Sequence, residues 1–212
     1  MRTRSIAIGT ALVVSLSLLH GSPTAARADV QLAPMMWHPQ TGISGPVGAT
    51  ARASLVRRTD GVAFSVHADQ LRPGHAYTVW FVAINNPSAC AATPCSGPDI
   101  VLNLETDSQV TYGAGHISGA SGRAGFAGAI QAGPIQGWLP NGGLWDPMTA
   151  QIQLVLNDHG PMLRAYMPEM IHTYRAGCTD ASIPGIFPAT ARADGTPGPN
   201  ACQLYQVAVF NP

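Results

Sequence analysis

The sequence predicts an all-β protein, folded as an antiparallel β-sandwich of about seven or eight strands with long loops. Short segments in which apolar and polar residues alternate recur along the chain, separated by turn-forming residues. The 212 residues include 23 glycines and 18 prolines but few aromatic residues, a composition that favours short strands joined by many turns. No segment shows the periodicity of a long helix.

The clearest strand signals lie between residues 51 and 84. Ala51–Arg58 and Val62–Asp69 flank Thr59-Asp60-Gly61, which predicts a β-hairpin. In the second strand of this hairpin, alternate apolar residues share one face: Val62, Phe64, Val66 and Ala68. Tyr77–Ile84 is apolar on both faces apart from Thr78, so it is predicted to be a central strand.

Shorter segments follow in the second half of the chain. Gly97–Leu104 is predicted to be extended, and Val110–Ile117 and Arg123–Ile130 flank small residues that indicate a second hairpin. Ala150–Leu156 is the next strand, and Leu204–Phe210 is a closing strand. These assignments complete the predicted sandwich.

Two segments of the C-terminal part are not assigned to a regular strand. Met162–Arg175 is compatible with a short helix broken at Pro168 or with an irregular strand. Ala181–Asn200 is rich in proline and glycine and is predicted to be a loop.

The N-terminus has the parts of a secretory signal peptide. Arg2 and Arg4 precede the apolar stretch Ile6–Leu19, and Ala26-Arg27-Ala28 is a small-x-small cleavage site. Residues 1–28 are therefore predicted to be removed, residues 29–48 to form an N-terminal extended segment, and residues 49–212 to form a single sandwich domain. No second long apolar stretch follows, so no retained transmembrane segment is expected.

Charge limits the kinds of partner. All eleven basic residues are arginines, and removal of the signal peptide leaves eight of them against eleven acidic residues. The exported chain then carries a net charge near −3 and has no basic stripe, so nucleic acids and anionic membranes are not expected as partners. The expected partner is therefore an unknown ligand or a cell-surface molecule.

The four cysteines form two pairs that are close in sequence. Local pairing predicts the disulfides Cys90–Cys95 and Cys178–Cys202, since exported proteins fold where thiols oxidise. The alternative is a metal site with four thiolates, but neither pair has the Cys-x-x-Cys spacing of a metal knuckle.

Asn157-Asp158-His159-Gly160-Pro161 is the strongest local candidate for chemistry. One interpretation makes His159 a metal ligand, or an acid–base group with Asp158 nearby. The other, which we favour, is a tight turn that ends the preceding strand, because these residue types are typical of turns.

Copper is the metal that the neighbouring residues favour. His172 follows several methionines, and imidazole together with thioether sulfur suits copper outside the cytoplasm. A copper site is therefore a hypothesis, with His159, His172 and Met170 as ligands, whereas the interpretation that we favour is that these methionines fill an irregular core or a loop interface. Met35-Met36-Trp37-His38 suggests the same chemistry, but there a packing anchor or a disordered end is the favoured interpretation.

Long loops are predicted to form the working end of the domain. They surround Cys90–Cys95 and span residues 131–149 and 157–175. Trp138, Trp145 and Tyr166 could supply contact area for a ligand there, or could instead anchor the loops on the sandwich.

Motifs spread over residues 50–210 resemble a group of secreted prokaryotic disulfide-linked proteins of unassigned function. The motifs are Tyr77-Thr78-Val79-Trp80, Asn86-Pro87, Cys90 with Cys95, Asp158-His159-Gly160-Pro161, Gly177-Cys178, Asn200-Ala201-Cys202-Gln203 and Val207-Ala208-Val209-Phe210. This resemblance implies a secreted, disulfide-linked domain and no particular activity.

A fainter similarity links Gln70-Leu71-Arg72-Pro73-Gly74-His75, before a strand, to copper/zinc superoxide dismutase sandwiches. The sandwich is accordingly expected to be immunoglobulin-like or superoxide-dismutase-like. Those dismutases use a His-x-His pair on the following strand, where this chain has Tyr77, Thr78 and Val79, which argues against dismutase activity.

Together these observations predict an exported binding or structural module of unknown ligand, with no catalytic residue and no cofactor assigned. Two alternatives stay open. One is an extracytoplasmic copper-binding protein that uses His159, His172 and methionine ligands. The other is a hydrolase with Asp158 and His159 as an acid–base pair, although no activated nucleophile motif accompanies them.

We expect export to remove residues 1–28, because cleavage follows the small-x-small motif. N-terminal sequencing of the exported protein should then begin at Asp29. A blocking change at the motif, Ala28→Arg, should leave the uncleaved chain, and a wild-type protein that keeps its first 28 residues would contradict the assignment.

Overall fold

The computed structural model describes residues 28–140, 142–182 and 198–212. Over these residues it contains eleven strands and two short α-helices. The predicted signal peptide, apart from Ala28, and most of the predicted loop Ala181–Asn200 lie outside the described residues. Within these ranges, no helix has the length and apolar character needed to cross a membrane.

The elements are numbered in chain order. The strands are β1 (Asp29–Pro34), β2 (Met36–Trp37), β3 (Arg52–Arg58), β4 (Gly61–Ala68), β5 (His75–Ile84), β6 (Ser108–Ile117), β7 (Ala124–Gln131), β8 (Gly133–Pro134), β9 (Gly143–Leu144), β10 (Gln151–Pro161) and β11 (Gln203–Phe210). The helices are α1 (Gly97–Leu102) and α2 (Met167–Met170).

Two antiparallel sheets form the sandwich. One has the strand order β1-β3-β4-β7 and the other the order β2-β11-β10-β5-β6, while β8 and β9 form a separate two-stranded sheet. Apolar side chains from both sheets fill the space between them, where Phe64 of β4 stacks on Phe81 of β5 with 6.0 Å between ring centroids. The predicted antiparallel β-sandwich is therefore confirmed, with more strands than expected because β1 and three two-residue strands add to it.

The first hairpin and the apolar strand are as predicted. β3 pairs with β4 across the turn at Thr59-Asp60, and the alternating residues of β4 that the sequence assigned to one face are buried. β5 lies between β10 and β6, and its residues from Ala76 to Ile84 are buried on both faces. Its inner side contacts the core, and its outer side is covered by a second cluster that includes Trp80, Val82 and Trp138.

The predicted second hairpin is wrong, although its two strands exist. β6 pairs with β5, whereas β7 pairs with β4 in the other sheet, so residues 118–123 cross from one sheet to the other. The backbone groups of this crossing bond to the loop before β5: Leu71 N donates to Gly122 O, and Gly74 N donates to Ser118 O. A local turn, in which Gly122 N donates to Gly119 O, lies within the connection, and the contacts with the distant segment before β5 fix its place between the sheets.

The prediction that Gly97–Leu104 is extended is also wrong, because α1 occupies Gly97–Leu102. Ser96 and Asp99 form a capping box, in which each side chain accepts a hydrogen bond from the other residue's backbone N–H. Pro98 lies in the first turn, where a proline costs no hydrogen bond. The buried side chain of Ile100 then packs on the outer face of the five-stranded sheet.

The predicted turn at residues 157–161 is wrong as well, because β10 continues to Pro161. Asn157 pairs with Thr78 of β5 and Leu204 of β11, so both neighbouring strands extend the ladder beyond Leu156. The undecided segment Met162–Arg175 contains turns and the four-residue helix α2, whose first turn includes Pro168.

A buried arginine connects the two sheets at one end of the sandwich. Arg57 of β3 has no exposed side-chain surface, and its Nη1 donates to the carbonyl oxygens of Pro147 and Ala150 at 2.6 and 2.8 Å. Its Nη2 donates to Phe210 O at 3.2 Å, and its Nε donates to Gln31 Oε1 at 3.0 Å. One guanidinium therefore joins β1, β3, β11 and the turn before β10.

Replacing Arg57 with methionine should destabilise the protein by about 3 kcal/mol or more, because each buried carbonyl that loses its donor costs roughly 1 kcal/mol or more. Urea denaturation measures this loss. The neighbouring exposed arginine provides the control, and Arg58→Met should change stability by less than about 0.5 kcal/mol. Equal effects of the two substitutions would contradict the role assigned to Arg57.

Candidate functional site

Both predicted disulfides are present. Cys90 is bonded to Cys95 and Cys178 to Cys202, so all four cysteines are paired and the alternative four-thiolate site is not formed. Both bonds lie over the outer face of the five-stranded sheet, since their sulfur atoms belong to the cluster around Trp80 and Val155. They hold loops whose backbones form no regular strand pairing of their own.

Asp158 and His159 contact different groups from opposite sides of β10. Asp158 pairs in register with Tyr77, whose side chain belongs to the core between the sheets. Asn157 and His159 contact each other and the segment around Tyr174 and Ala176. No hydrogen bond joins Asp158 to His159 among the described residues. The two side chains therefore belong to two separate polar clusters.

The Asp158 carboxylate is the centre of a buried ionic network. It accepts hydrogen bonds from His75 Nδ1 at 2.9 Å, from Tyr77 Oη at 3.2 Å and from Gly160 N at 2.7 Å, and Arg72 Nη1 lies 3.3 Å away. Burial and the adjacent charge of Asp158 raise the pKa of Tyr77 well above its usual value. The network attaches the loop before β5 to the end of β10.

His159 is fully buried and neutral. Its Nδ1 lies 2.8 Å from Ala176 O, so this nitrogen carries the proton and donates it to the carbonyl. Its Nε2 then accepts hydrogen bonds from Thr78 Oγ1 at 2.7 Å and from Asn157 Nδ2 at 3.2 Å. Burial lowers the pKa of His159 from 6.5 to about 4, because the charged imidazolium would lose its hydration.

The three ligands of the copper hypothesis occupy different surroundings. His172 is exposed, its Nδ1 lies 2.7 Å from Pro168 O, and its ring lies against Tyr112. Met170 is buried beside Ala76 and Ala176, and its sulfur accepts a hydrogen bond from Leu163 N at 3.5 Å. Within the described ranges, the group of three or more metal-ligand atoms that includes His159 is completed by Cys178 and Cys202, without His172.

The three predicted aromatic contact residues are likewise separated. Trp138 is buried, stacks on Tyr174 with 5.0 Å between ring centroids and meets Trp80 edge-on. Trp145 is 46% exposed, and Tyr166 packs beside Met170 at the start of α2. Trp138 therefore anchors its loop, as the alternative interpretation of this residue proposed.

A groove on the outer face of the five-stranded sheet was not predicted. It has a volume of about 390 Å³ and lies between the segment after β2, the Cys90–Cys95 loop and strands β10 and β11. Its lining residues are His38, Pro39, Pro94, Cys95, Ser96, Gly97, Gln153, Leu204, Val207 and Val209. A smaller cavity of about 50 Å³, lined in part by Trp80 and Trp138, adjoins it.

The groove combines an apolar lining with one donor and one acceptor. His38 Nδ1 accepts a hydrogen bond from Gln40 N at 3.2 Å, so the proton lies on Nε2, which has no partner in the described part of the chain. Burial lowers the pKa of His38 to about 4, which keeps the ring neutral near pH 7. Gln153 Nε2 donates to Cys95 O and to Gln151 Oε1, whereas its own Oε1 is not bonded within the described residues.

The sequence contained one signal for this groove. Val207 and Val209 alternate with the core residues Ala208 and Phe210, so the closing strand is apolar on both faces there. A strand with two apolar faces needs a cover on each side. The cover itself, formed by His38, Pro39 and the Cys90–Cys95 loop, comes from segments distant in sequence.

Comparisons with protein-family models, with curated proteins and with solved structures found no match to this chain.

Burial of neutral His159 predicts a specific dependence of stability on pH. The unfolded chain binds a proton near pH 6.5 and the folded chain only near pH 4, so stability contributed by this residue is lost as pH falls through this interval. This difference in the pKa of His159 between the folded and unfolded chain corresponds to a loss of roughly 3 kcal/mol of folding stability once the pH lies below both values.

Urea denaturation at pH 7 and pH 4.5 tests this dependence. We expect His159→Gln to be less stable than wild type at pH 7 but to lose less stability on acidification. The exposed residue His172, changed to glutamine, controls for the loss of a histidine. An unchanged acid dependence in His159→Gln would contradict a neutral buried imidazole.

Proposed function

We propose that this protein is an exported β-sandwich module that binds a small, largely apolar molecule in the groove between His38 and the Cys90–Cys95 loop. The observation that carries the proposal is a concave site of about 390 Å³ on a sheet face whose neighbouring surface is closed by loops. Proline, valine and leucine form half of its lining, and no charged side chain is among the lining residues. Sites for small molecules are concave and mostly apolar, with a few convergent polar groups.

The polar groups define the chemical class of the ligand. The unbonded His38 Nε2–H can donate one hydrogen bond, and the unbonded Gln153 Oε1 can accept one. A neutral molecule with an amide or a hydroxyl next to a carbonyl would satisfy both groups while its apolar part contacts Val207 and Val209. A charged ligand is disfavoured, because the described lining has no charged side chain.

The rim of the groove is held in place before a ligand arrives. The Cys90–Cys95 disulfide closes the loop that carries Pro94, and Asp99 accepts hydrogen bonds from the N–H groups of Ala91 and Ser96. The hydrogen bond from the Ser96 hydroxyl, followed by those from these N–H groups, lowers the pKa of Asp99 to about 2, so the carboxylate stays charged at neutral pH. A rigid rim reduces the entropy that binding costs.

Export is supported by the predicted signal peptide and by the two disulfides, which persist in oxidising compartments. The hydrolase alternative receives less support, since Asp158 and His159 make their hydrogen bonds in separate networks. Within the described residues both ring nitrogens of His159 and both carboxylate oxygens of Asp158 have hydrogen-bond partners, as expected of structural groups, whereas Asn157 Oδ1 beside His159 has none.

The groove can be tested with 1-anilinonaphthalene-8-sulfonate, a fluorescent probe of apolar sites. Its sulfonate remains in solvent while its rings occupy the apolar lining. We expect saturable binding to native protein and at least a tenfold loss of affinity, about 1.4 kcal/mol, in Val209→Trp, where the indole fills the groove.

Val30→Trp provides the matched control, because Val30 is an exposed valine on β1, in the other sheet. Its probe affinity should equal that of wild type. If Val209→Trp and Val30→Trp bind the probe equally well, the groove is not the binding site. In that case we also expect native mass spectrometry of the purified protein to show no bound small molecule.

A further inference from the structure

The groove and the smaller cavity of about 50 Å³ share part of their lining. Four residues line both spaces: His38, Gly97, Gln153 and Leu204. These shared residues form the mouth of the smaller space, which we call the inner cavity. Gly97 contributes no side chain to this mouth, so a group that enters from the groove meets no obstruction from that residue.

We infer that the ligand of the groove is a neutral amide whose short alkyl end occupies the inner cavity. This inference rests on the proposed function, because a ligand reaches the mouth through the groove. The ligand then has two unequal apolar parts, one on each side of its amide. The short part lies in the inner cavity, and the larger part contacts Val207 and Val209 in the groove.

The polar groups of the site fix where the amide lies. His38 Nε2–H and Gln153 Oε1 have no partner within the described residues, and both side chains line the groove as well as the inner cavity. The ligand group that satisfies them therefore lies at the mouth, with apolar surroundings on both sides. An amide has a carbonyl oxygen that accepts from His38 and an N–H that donates to Gln153.

The inner cavity has apolar walls away from its mouth. These walls are the side chains of Trp80, Val82, Ile100, Val110, Trp138 and Val155. Each of them is at most 8% exposed, so the walls belong to the packed interior on the outer side of the five-stranded sheet. An alkyl group gains dispersion contacts with such walls, whereas water finds few polar partners there.

The aromatic part of the wall is held in position by its neighbours. Trp138 stacks on Tyr174, and Trp80 meets both rings edge-on, at 5.2 Å from the centroid of Trp138 and 5.7 Å from that of Tyr174. Val110 O accepts hydrogen bonds from Tyr174 Oη and from Trp138 N, both at 3.2 Å, which attaches the stacked pair to β6. A wall fixed in this way is organised before binding and limits the size of the group that enters.

The volume of the inner cavity sets the length of the alkyl end. At about 50 Å³, it has room for several water-sized spheres. Since one such sphere takes up about 10–15 Å³, the alkyl end contains roughly three or four non-hydrogen atoms. A propyl group fits this limit, whereas a pentyl group exceeds it.

Displacement of 1-anilinonaphthalene-8-sulfonate by a series of acyl anilides tests the inference. In each competitor the phenyl ring takes the groove, and the acyl chain lengthens from acetyl to butyryl to hexanoyl. We expect butyranilide to displace the probe at a concentration about tenfold lower than acetanilide, because two more methylene groups are buried. Hexananilide should displace it no better than butyranilide, because its last carbons do not fit.

A change of the wall should change the preferred chain length. Ile100→Ala enlarges the inner cavity and places a good helix former in α1, so the helix should persist. Hexananilide should then displace the probe at a concentration at least fivefold lower than with wild type. Leu102→Ala is the matched control, because Leu102 lies on the same helix, is 65% exposed and does not line the inner cavity.

The amide itself is tested with phenyl butyrate, in which an ester oxygen replaces the N–H of butyranilide. This oxygen cannot donate to Gln153 Oε1, so the ester should require about a fivefold higher concentration to displace the probe. Equal displacement by the ester and the amide would contradict the assignment of an amide to the mouth.

Failure of this inference is distinguishable from failure of the proposed function. Equal probe binding by Val209→Trp and Val30→Trp would overturn the groove itself. Normal probe binding with no displacement by the anilides, or with equal displacement by all three, would overturn the inner-cavity assignment and leave the groove in place. The same chain preference in Ile100→Ala and wild type would also overturn that assignment.

Discussion

The structure depends most on the enclosure of β10. This strand has hydrogen-bonded neighbours on both edges, β5 and β11, and its residues from Gln151 to Gly160 are buried. A polar side chain on such a strand has no access to water, so it must find its partners within the protein. Gln153, Asn157, Asp158 and His159 each form hydrogen bonds within the protein, and these partners determine where the surrounding loops lie. Two oxygen atoms, Asn157 Oδ1 and Gln153 Oε1, have no partner among the described residues.

The two faces of β10 meet the constraint in different ways. Towards the core, Asp158 accepts hydrogen bonds from His75 and Tyr77 of β5 and forms an ion pair with Arg72 in the loop before β5, so this loop closes that end of the sandwich. On the outer face, irregular segments held by disulfides supply the partners: Cys95 O for Gln153, and Ala176 O for His159. The outer cover is incomplete between these segments, and the incomplete part is the groove that we propose as a ligand site.

The two disulfides consequently have different surroundings. Cys90–Cys95 closes a short loop at the rim of the groove, where its role is to fix Pro94 and the start of α1. Cys178–Cys202 lies beside the neutral buried imidazole of His159, next to the segment whose Ala176 O accepts the Nδ1 proton of that ring. The proposal for the groove follows from how segments without regular structure are held on one sheet face.

The sequence by itself determined the sandwich class, the first hairpin, the apolar strand β5 and both disulfides. These features are local, since alternation, turn residues and cysteine spacing act over a few positions. Only the tertiary structure decided that β6 and β7 lie in different sheets, that β10 continues through His159, and that His38 and Gln153 line one groove. Strand pairing and the covering of a sheet face join residues that are distant in sequence, and no local pattern records which segments will meet.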